Sequence, residues 1–150
     1  MKTLKVLFLS LTLLAMLPAS ADEALKKRFS DEELVDILKS EGYSATKILK
    51  KGAIQVKVNG TSFLLFNNAD GDLQTAYALS GVKLGYDDIN EWNRTKRLSR
   101  AYLDKEMDPV LESDLLANGG LTPRHVSEFF NVFKGSADAF KRFVIAHDGS

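Results

Sequence analysis

The polar and apolar positions change period several times along the chain, and each change marks an element. Leu34, Ile37 and Leu38 recur at helical spacing. Ser30 stands before them as an N-cap, with Glu33 three residues on to reach back to it. Phe29 and Leu34 occupy the two staple positions, and Asp31, Glu32 and Glu33 put negative charge at the positive end of the helix dipole. Gly42 is a natural left-handed stop, so the first helix is expected over Asp31 to Glu41. The period then shortens to two. Ile54, Val56 and Val58 alternate with Gln55, Lys57 and Asn59, and Asn59-Gly60 leads directly into the run Thr61 to Phe66. Asn-Gly between two such runs predicts a tight hairpin, because both turn residues must accept positive φ. Tyr43 to Leu49 before it and Leu73 to Leu79 after it complete four strands. Their connections are too short for parallel crossovers, so the strands are antiparallel.

A second helix is expected next, stapled by Leu84 and Ile89 around Gly85 and running to about Arg97, with Asp87 and Asp88 in its first turn. Ser99 to Leu103 and Val110 to Leu116 read as two more strands. Thr122 then caps a last helix with Pro123 in its first position. Val126, Phe129, Phe130, Phe133, Ala137, Phe140 and Val144 fall on one stripe of that helix, and Phe143 and Val132 widen it. The stripe is expected to bury Phe129, Phe133 and Phe140 against the sheet. The order α-β-β-β-β-α-β-β-α describes an α+β domain with helices packed on an antiparallel sheet.

The beginning of the chain follows another rule. Lys2 and Lys5 precede the run Val6 to Leu17, in which ten of twelve residues are apolar. Pro18 and Ala19-Ser20-Ala21 follow, which completes the pattern of a secretory signal peptide. The apolar run falls short of the roughly 20 residues that a span requires. The expectation is therefore a signal over 1–21 cut after Ala21, a charged leader over 22–29 with little to bury, and one domain over 30–147. The product would be periplasmic or secreted, with no membrane insertion after cleavage.

Composition narrows the chemistry. The absence of cysteine excludes disulfides, thiolate metal sites and a cysteine nucleophile, and two histidines are too few for a multi-histidine metal centre. Lys+Arg and Asp+Glu are both 20, and removing the signal takes away two lysines and no acid. Such a chain has no basic footprint for nucleic acid.

Candidate sites are few. Asn68, Asp70 and Asp72 resemble a calcium loop, but placing Gly71 at the loop's sixth position puts Phe66 first and Tyr77 twelfth. Starting at Asp104, with Glu106 and Asp108, puts Pro109 sixth and Leu115 twelfth. Both clusters are better read as exposed turns. His125 lies in the first turn of the last helix and His147 in a frayed tail, neither with a nucleophile at recognisable spacing. Glu112 and Asp114 alternate along a strand and read as its wet face. No nucleophile elbow, P-loop or dinucleotide fingerprint is present. The expectation is no catalytic residue, no metal and no cofactor.

The segment from Ile89 to Tyr102 is richer. It gathers the single tryptophan, Trp92, with Arg94, Arg97, Arg100 and Tyr102, the residue types that dominate binding hot spots. These five are the candidate partner-binding residues. Trp92 also has a plainer use, anchoring a short helix that has little else to bury. Asn93-Arg94-Thr95 matches a glycosylation sequon, a three-residue coincidence that carries no weight.

The same segment, Ile89-Asn90-Glu91-Trp92-Asn93-Arg94-Thr95-Lys96-Arg97-Leu98-Ser99-Arg100-Ala101-Tyr102-Leu103-Asp104, resembles the signature of the YbjN-domain family, bacterial proteins labelled as sensory transduction regulators. Glu41-Gly42-Tyr43, Val58-Asn59-Gly60, Gly71-Asp72-Leu73-Gln74, Pro109 to Asp114 and Gly119 to Thr122 extend the resemblance over about residues 30 to 144. It implies a fold like that of type III secretion chaperones, often dimeric, with no accepted catalytic residues. Many members lack an export signal and this chain carries one, which sets it apart from a cytoplasmic signalling or secretion-chaperone role. The functional expectation is an exported, non-enzymatic protein-binding, chaperone-like or regulatory domain that meets a polypeptide partner and possesses a homodimer contact, either on the second helix or on the Phe143 edge of the last. The alternative is a small-ligand-binding or hydrolytic domain with a pocket between sheet and helix.

Overall fold

A computed structural model describes residues 24–149. The signal segment and the expected cut after Ala21 lie outside the described residues. The elements run α1 (Asp31–Ser40), β1 (Thr46–Lys50), β2 (Ala53–Val58), β3 (Thr61–Asn67), β4 (Leu73–Ala78), α2 (Tyr86–Thr95), β5 (Arg100–Leu103), β6 (Pro109–Leu115) and α3 (Pro123–His147). The strands form one antiparallel sheet in the order β1-β2-β3-β4-β6-β5. The architecture is α+β, in the expected element order.

Local chemistry accounts for most boundaries. Ser30 Oγ accepts from the Glu33 N–H at 3.2 Å and Glu33 accepts from the Ser30 N–H at 2.9 Å, the reciprocal cap that starts α1. The staple residues Phe29 and Leu34 are both buried. Asn59 and Gly60 have φ of 49° and 80°, the paired left-handed turn that joins β2 to β3. Thr122 and His125 cap α3: Thr122 Oγ1 accepts from the His125 N–H, and His125 Nδ1 accepts from the Thr122 N–H.

Two expectations about element ends need correction here. β1 starts at Thr46, not at Tyr43, because Tyr43 is held at the end of α1. Its N–H donates to the Leu38 carbonyl, and its ring meets Phe130 edge-on at 4.8 Å. Residues 24–28 of the leader are exposed and bury little, as expected, but the leader's backbone is tied to the fold. Lys26 and Leu121 exchange backbone hydrogen bonds at 2.8 Å, and Gly71, at φ 98°, lies so close to the Lys27 carbonyl that a Cβ would collide with it. His147 is not in a frayed tail, since α3 continues through it and its ring stacks on Phe143 at 4.0 Å.

All three helices contribute to one core on one face of the sheet. Ile54, Val56, Phe63, Leu65, Leu73, Tyr77, Ala101 and Leu111 supply the sheet side. From α3, Val126, Phe130, Phe133, Ala137, Phe140 and Val144 are buried, which follows the stripe. Phe129 departs from it. It is only partly buried, because it sits on the flank of the stripe beyond the end of β5. Phe63 receives Phe130 and Phe133 edge-on at 5.7 and 6.3 Å, and Trp92 receives Phe140 at 4.9 Å. The other face carries Gln55, Leu64, Phe66, Gln74 and Ala76, each half-buried, and among the described residues no helix lies across it. Among the described residues no helix is long and apolar enough to cross a membrane.

Phe133 has no exposed surface and touches both layers. Phe133→Ala should therefore cost about 3–5 kcal/mol. Chemical denaturation checks this, and an unchanged midpoint would show that the stripe does not hold the core.

Candidate functional site

α2 is short and polar, and it buries two side chains, Ile89 and Trp92. Trp92 is 1% exposed, with its ring edge-on to Phe140 and, at 5.5 Å, to Phe143. Lys96 lies over its ring at 5.8 Å. Trp92 is thus an inward anchor. Phe143, the second expected homodimer edge, is spent on the same contact and on His147. The helix stops at Thr95, two residues before the expected Arg97. There Thr95 turns its hydroxyl back onto the Glu91 carbonyl and Lys96 takes extended dihedrals.

The neighbouring Asn93 has a task that the sequence did not reveal. Its amide nitrogen donates to the Ala101 carbonyl at 3.0 Å and its oxygen accepts from the Ala101 N–H at 2.8 Å. One side chain thereby supplies the pairing that a further strand would give to the outer edge of β5, and it closes that edge. Arg94 and Arg97 are exposed on the outside of this unit.

Arg100 and Tyr102 both turn to Glu112 across the β5–β6 pair. Arg100 reaches Glu112 Oε2 from Nη2 at 2.9 Å and from Nε at 3.3 Å, and the Tyr102 hydroxyl donates to Oε1 at 2.7 Å. Glu112 is therefore not part of a wet face. It is 9% exposed, because its two partners lie over it. Asp114, two residues on, is exposed and accepts from Gln74. The hydrogen bond to Glu112, helped by burial, pushes the Tyr102 phenol up to about 12.

Beside this unit lies a groove of about 580 Å³ between the end of β6 and α3. Its apolar wall is Leu98, Leu115, Phe129 and Val132, and its rim is Arg100, Glu112, Asp114, His125 and Glu128. Leu98 is 66% exposed and has φ of 66°, a conformation that a bulky residue rarely adopts. The alternative expectation of a pocket between sheet and helix named none of this groove's apolar wall residues. The available signal was the flank of the α3 stripe, where Phe129 and Val132 lie beyond the reach of the sheet.

The rim groups hold one another more than they converge. Glu112 is taken by Arg100 and Tyr102, His125 Nδ1 by the helix cap, and Ser113 Oγ donates to the Leu98 carbonyl. A wider depression of about 870 Å³ lies at the start of α1. There both Asp31 oxygens are engaged, one by the Gly52 N–H and one by the Asn67 amide. The two turn clusters are likewise self-satisfied. Asp70 accepts from the Asp72 N–H, Asp72 from the Ala117 N–H, and Asp104 from the N–H groups of Glu106 and Asp108. Among the described residues, no group of three or more histidines and carboxylates is placed to hold a metal ion.

A family model described as "putative bacterial sensory transduction regulator" matches residues 30–146. No curated protein and no solved structure matches the chain.

The bond to Glu112 favours the fold while the Tyr102 phenol is protonated. That contribution is present below about pH 10, where an unfolded tyrosine titrates, and is lost as pH rises through about 12. Phenolate absorbance through alkaline pH should show one of the four tyrosines ionising last. Tyr102→Phe should remove that step, and Glu112→Ala should bring it back toward the ordinary tyrosine range. Four tyrosines ionising together in the parent protein would contradict the assignment.

Proposed function

The chain belongs to the YbjN family, and from that premise we propose that it is an exported, non-enzymatic regulatory domain that holds a polypeptide partner between the end of β6 and α3, beside the turn that leads from α2 to β5. The observation that carries this reading is the groove. Its wall is apolar, and at its rim Arg100, Glu112 and His125 are already bonded to neighbours. A binding surface has that character. A hydrolytic site instead requires a nucleophile, a base and an orienting acid in hydrogen-bond reach of one another.

In this proposal Arg94 and Arg97 are the outer recognition residues. Both are exposed, and their guanidinium groups suit carboxylates or carbonyls of a partner. Arg100 and Tyr102 act indirectly, since both are tied to Glu112 at the groove's rim. Trp92 holds the helix that carries Arg94. The α2 surface also suits a homodimer. Asp87 and Glu91 precede Arg94 along it, so a two-fold axis across the helix sets acids against an arginine.

Crosslinking in intact cells followed by recovery of the exported protein tests the proposal. Arg94→Ala and Arg97→Ala should fold as the parent does, and each should weaken partner recovery or self-association by about 1 kcal/mol or more. If both variants lose thermal stability and keep their binding, the arginines are structural and the proposal fails.

A further inference from the structure

β5 has four residues and β6 has seven, so β5 covers only part of its neighbour. The pairing runs from Leu103↔Pro109 to Arg100↔Glu112 and stops there. On its other side β6 stays paired with β4 as far as Leu115. From Ser113 to Leu115 the β5 side of the strand is therefore an open edge, although the strand lies inside the sheet.

The direction of the backbone groups is fixed by alternation. The Pro109 carbonyl accepts from the Leu79 N–H on the β4 side, so the odd-numbered residues of β6 face β4 and the even-numbered ones face β5. Asn93 on the outer side of Ala101 agrees with that phase. Both backbone groups of Asp114 consequently point into the open edge. The chain does not continue the line of β5 backwards to meet them. At Leu98, with φ of 66°, it turns away toward α2, and the Leu98 carbonyl is occupied by the Ser113 hydroxyl. The groove described above lies along this notch.

The geometry points to strand addition: an extended peptide segment of alternating apolar and basic residues pairs with Asp114 in the place that a longer β5 would fill. This deepens the reading of the domain as a polypeptide binder and rests on it. Side chains of an added strand alternate between the two faces of the sheet. One set meets the apolar wall formed by Leu115, Phe129 and Val132. The other set lies on the face of Glu112 and Asp114. Arg100 neutralises Glu112, while Asp114 and, on the α3 side, Glu128 have no salt-bridge partner among the described residues. The rim is thus net acidic, and a Lys or Arg facing Asp114 is the complementary choice. A helical ligand would leave the Asp114 backbone groups unmet.

Three probes test this on the full exported protein: a short peptide alternating Val and Lys, the same peptide with Glu for Lys, and two versions of the first N-methylated at one or the other alternate set of amides. The Val-Lys peptide should bind and slow hydrogen exchange at the Asp114 amide by about tenfold or more. One N-methylated version should lose about tenfold in affinity and the other should not, because only one set of amides faces the edge. Asp114→Lys should reverse the preference toward the Val-Glu peptide. Equal binding of both N-methylated versions, equal binding of the Lys and Glu peptides, or no change at Asp114 would overturn strand addition. If the peptides fail while Arg94→Ala and Arg97→Ala still weaken partner recovery, the polypeptide-binding reading survives and this mode of binding does not.

Discussion

The edge-on packing of α3 phenylalanines against Phe63 on one side and Trp92 on the other ties the domain together. Phe130 and Phe133 fix α3 over the middle of the sheet, and Phe140 and Phe143 continue the same face to Trp92. Trp92, with the smaller Ile89, then holds α2, a helix too short and polar to persist without them. With α2 fixed, Asn93 reaches Ala101 and closes the outer edge of β5. The side of the sheet that carries the candidate site is therefore positioned by a relay that starts in the core. Each step is a named contact.

That relay also explains why the sheet is notched. The connection from α2 to β5 must pass from a helix that Trp92 holds against α3 into a strand that pairs with β6. It makes the turn at Leu98, a left-handed residue with its side chain exposed. Left-handed dihedrals at leucine are unfavourable, and residues in such conformations concentrate at functional positions. The result is an apolar lip beside an unpaired stretch of β6, with Phe129 and Val132 of α3 forming the opposite wall.

Much of this fold was legible because its signals are local. The Ser30–Glu33 cap, the Asn59-Gly60 turn and the α3 stripe each act through neighbours in sequence, and each element stands where those residues put it. The candidate site was less legible because its decisive contacts link distant positions. Nothing near Glu112 in sequence announces that Arg100 and Tyr102 will cover it, and nothing near Asn93 announces Ala101 as its partner. Phe129 belongs to the stripe by angle alone. Its partial burial goes with β5 starting only at Arg100, a tertiary fact that helical periodicity does not contain.

The site depends on β6 changing from an inner strand to an open edge between Glu112 and Asp114. Hydrogen exchange of the free protein, resolved by residue, reads this directly. Glu112 and Asp114 both direct their backbone toward the β5 side, but only Glu112 has a partner there. The Val110 and Glu112 amides should exchange slowly, and the Asp114 amide should exchange much faster than either. Protection at Asp114 equal to that at Glu112 would mean that the edge is already filled, and it would contradict the site described here.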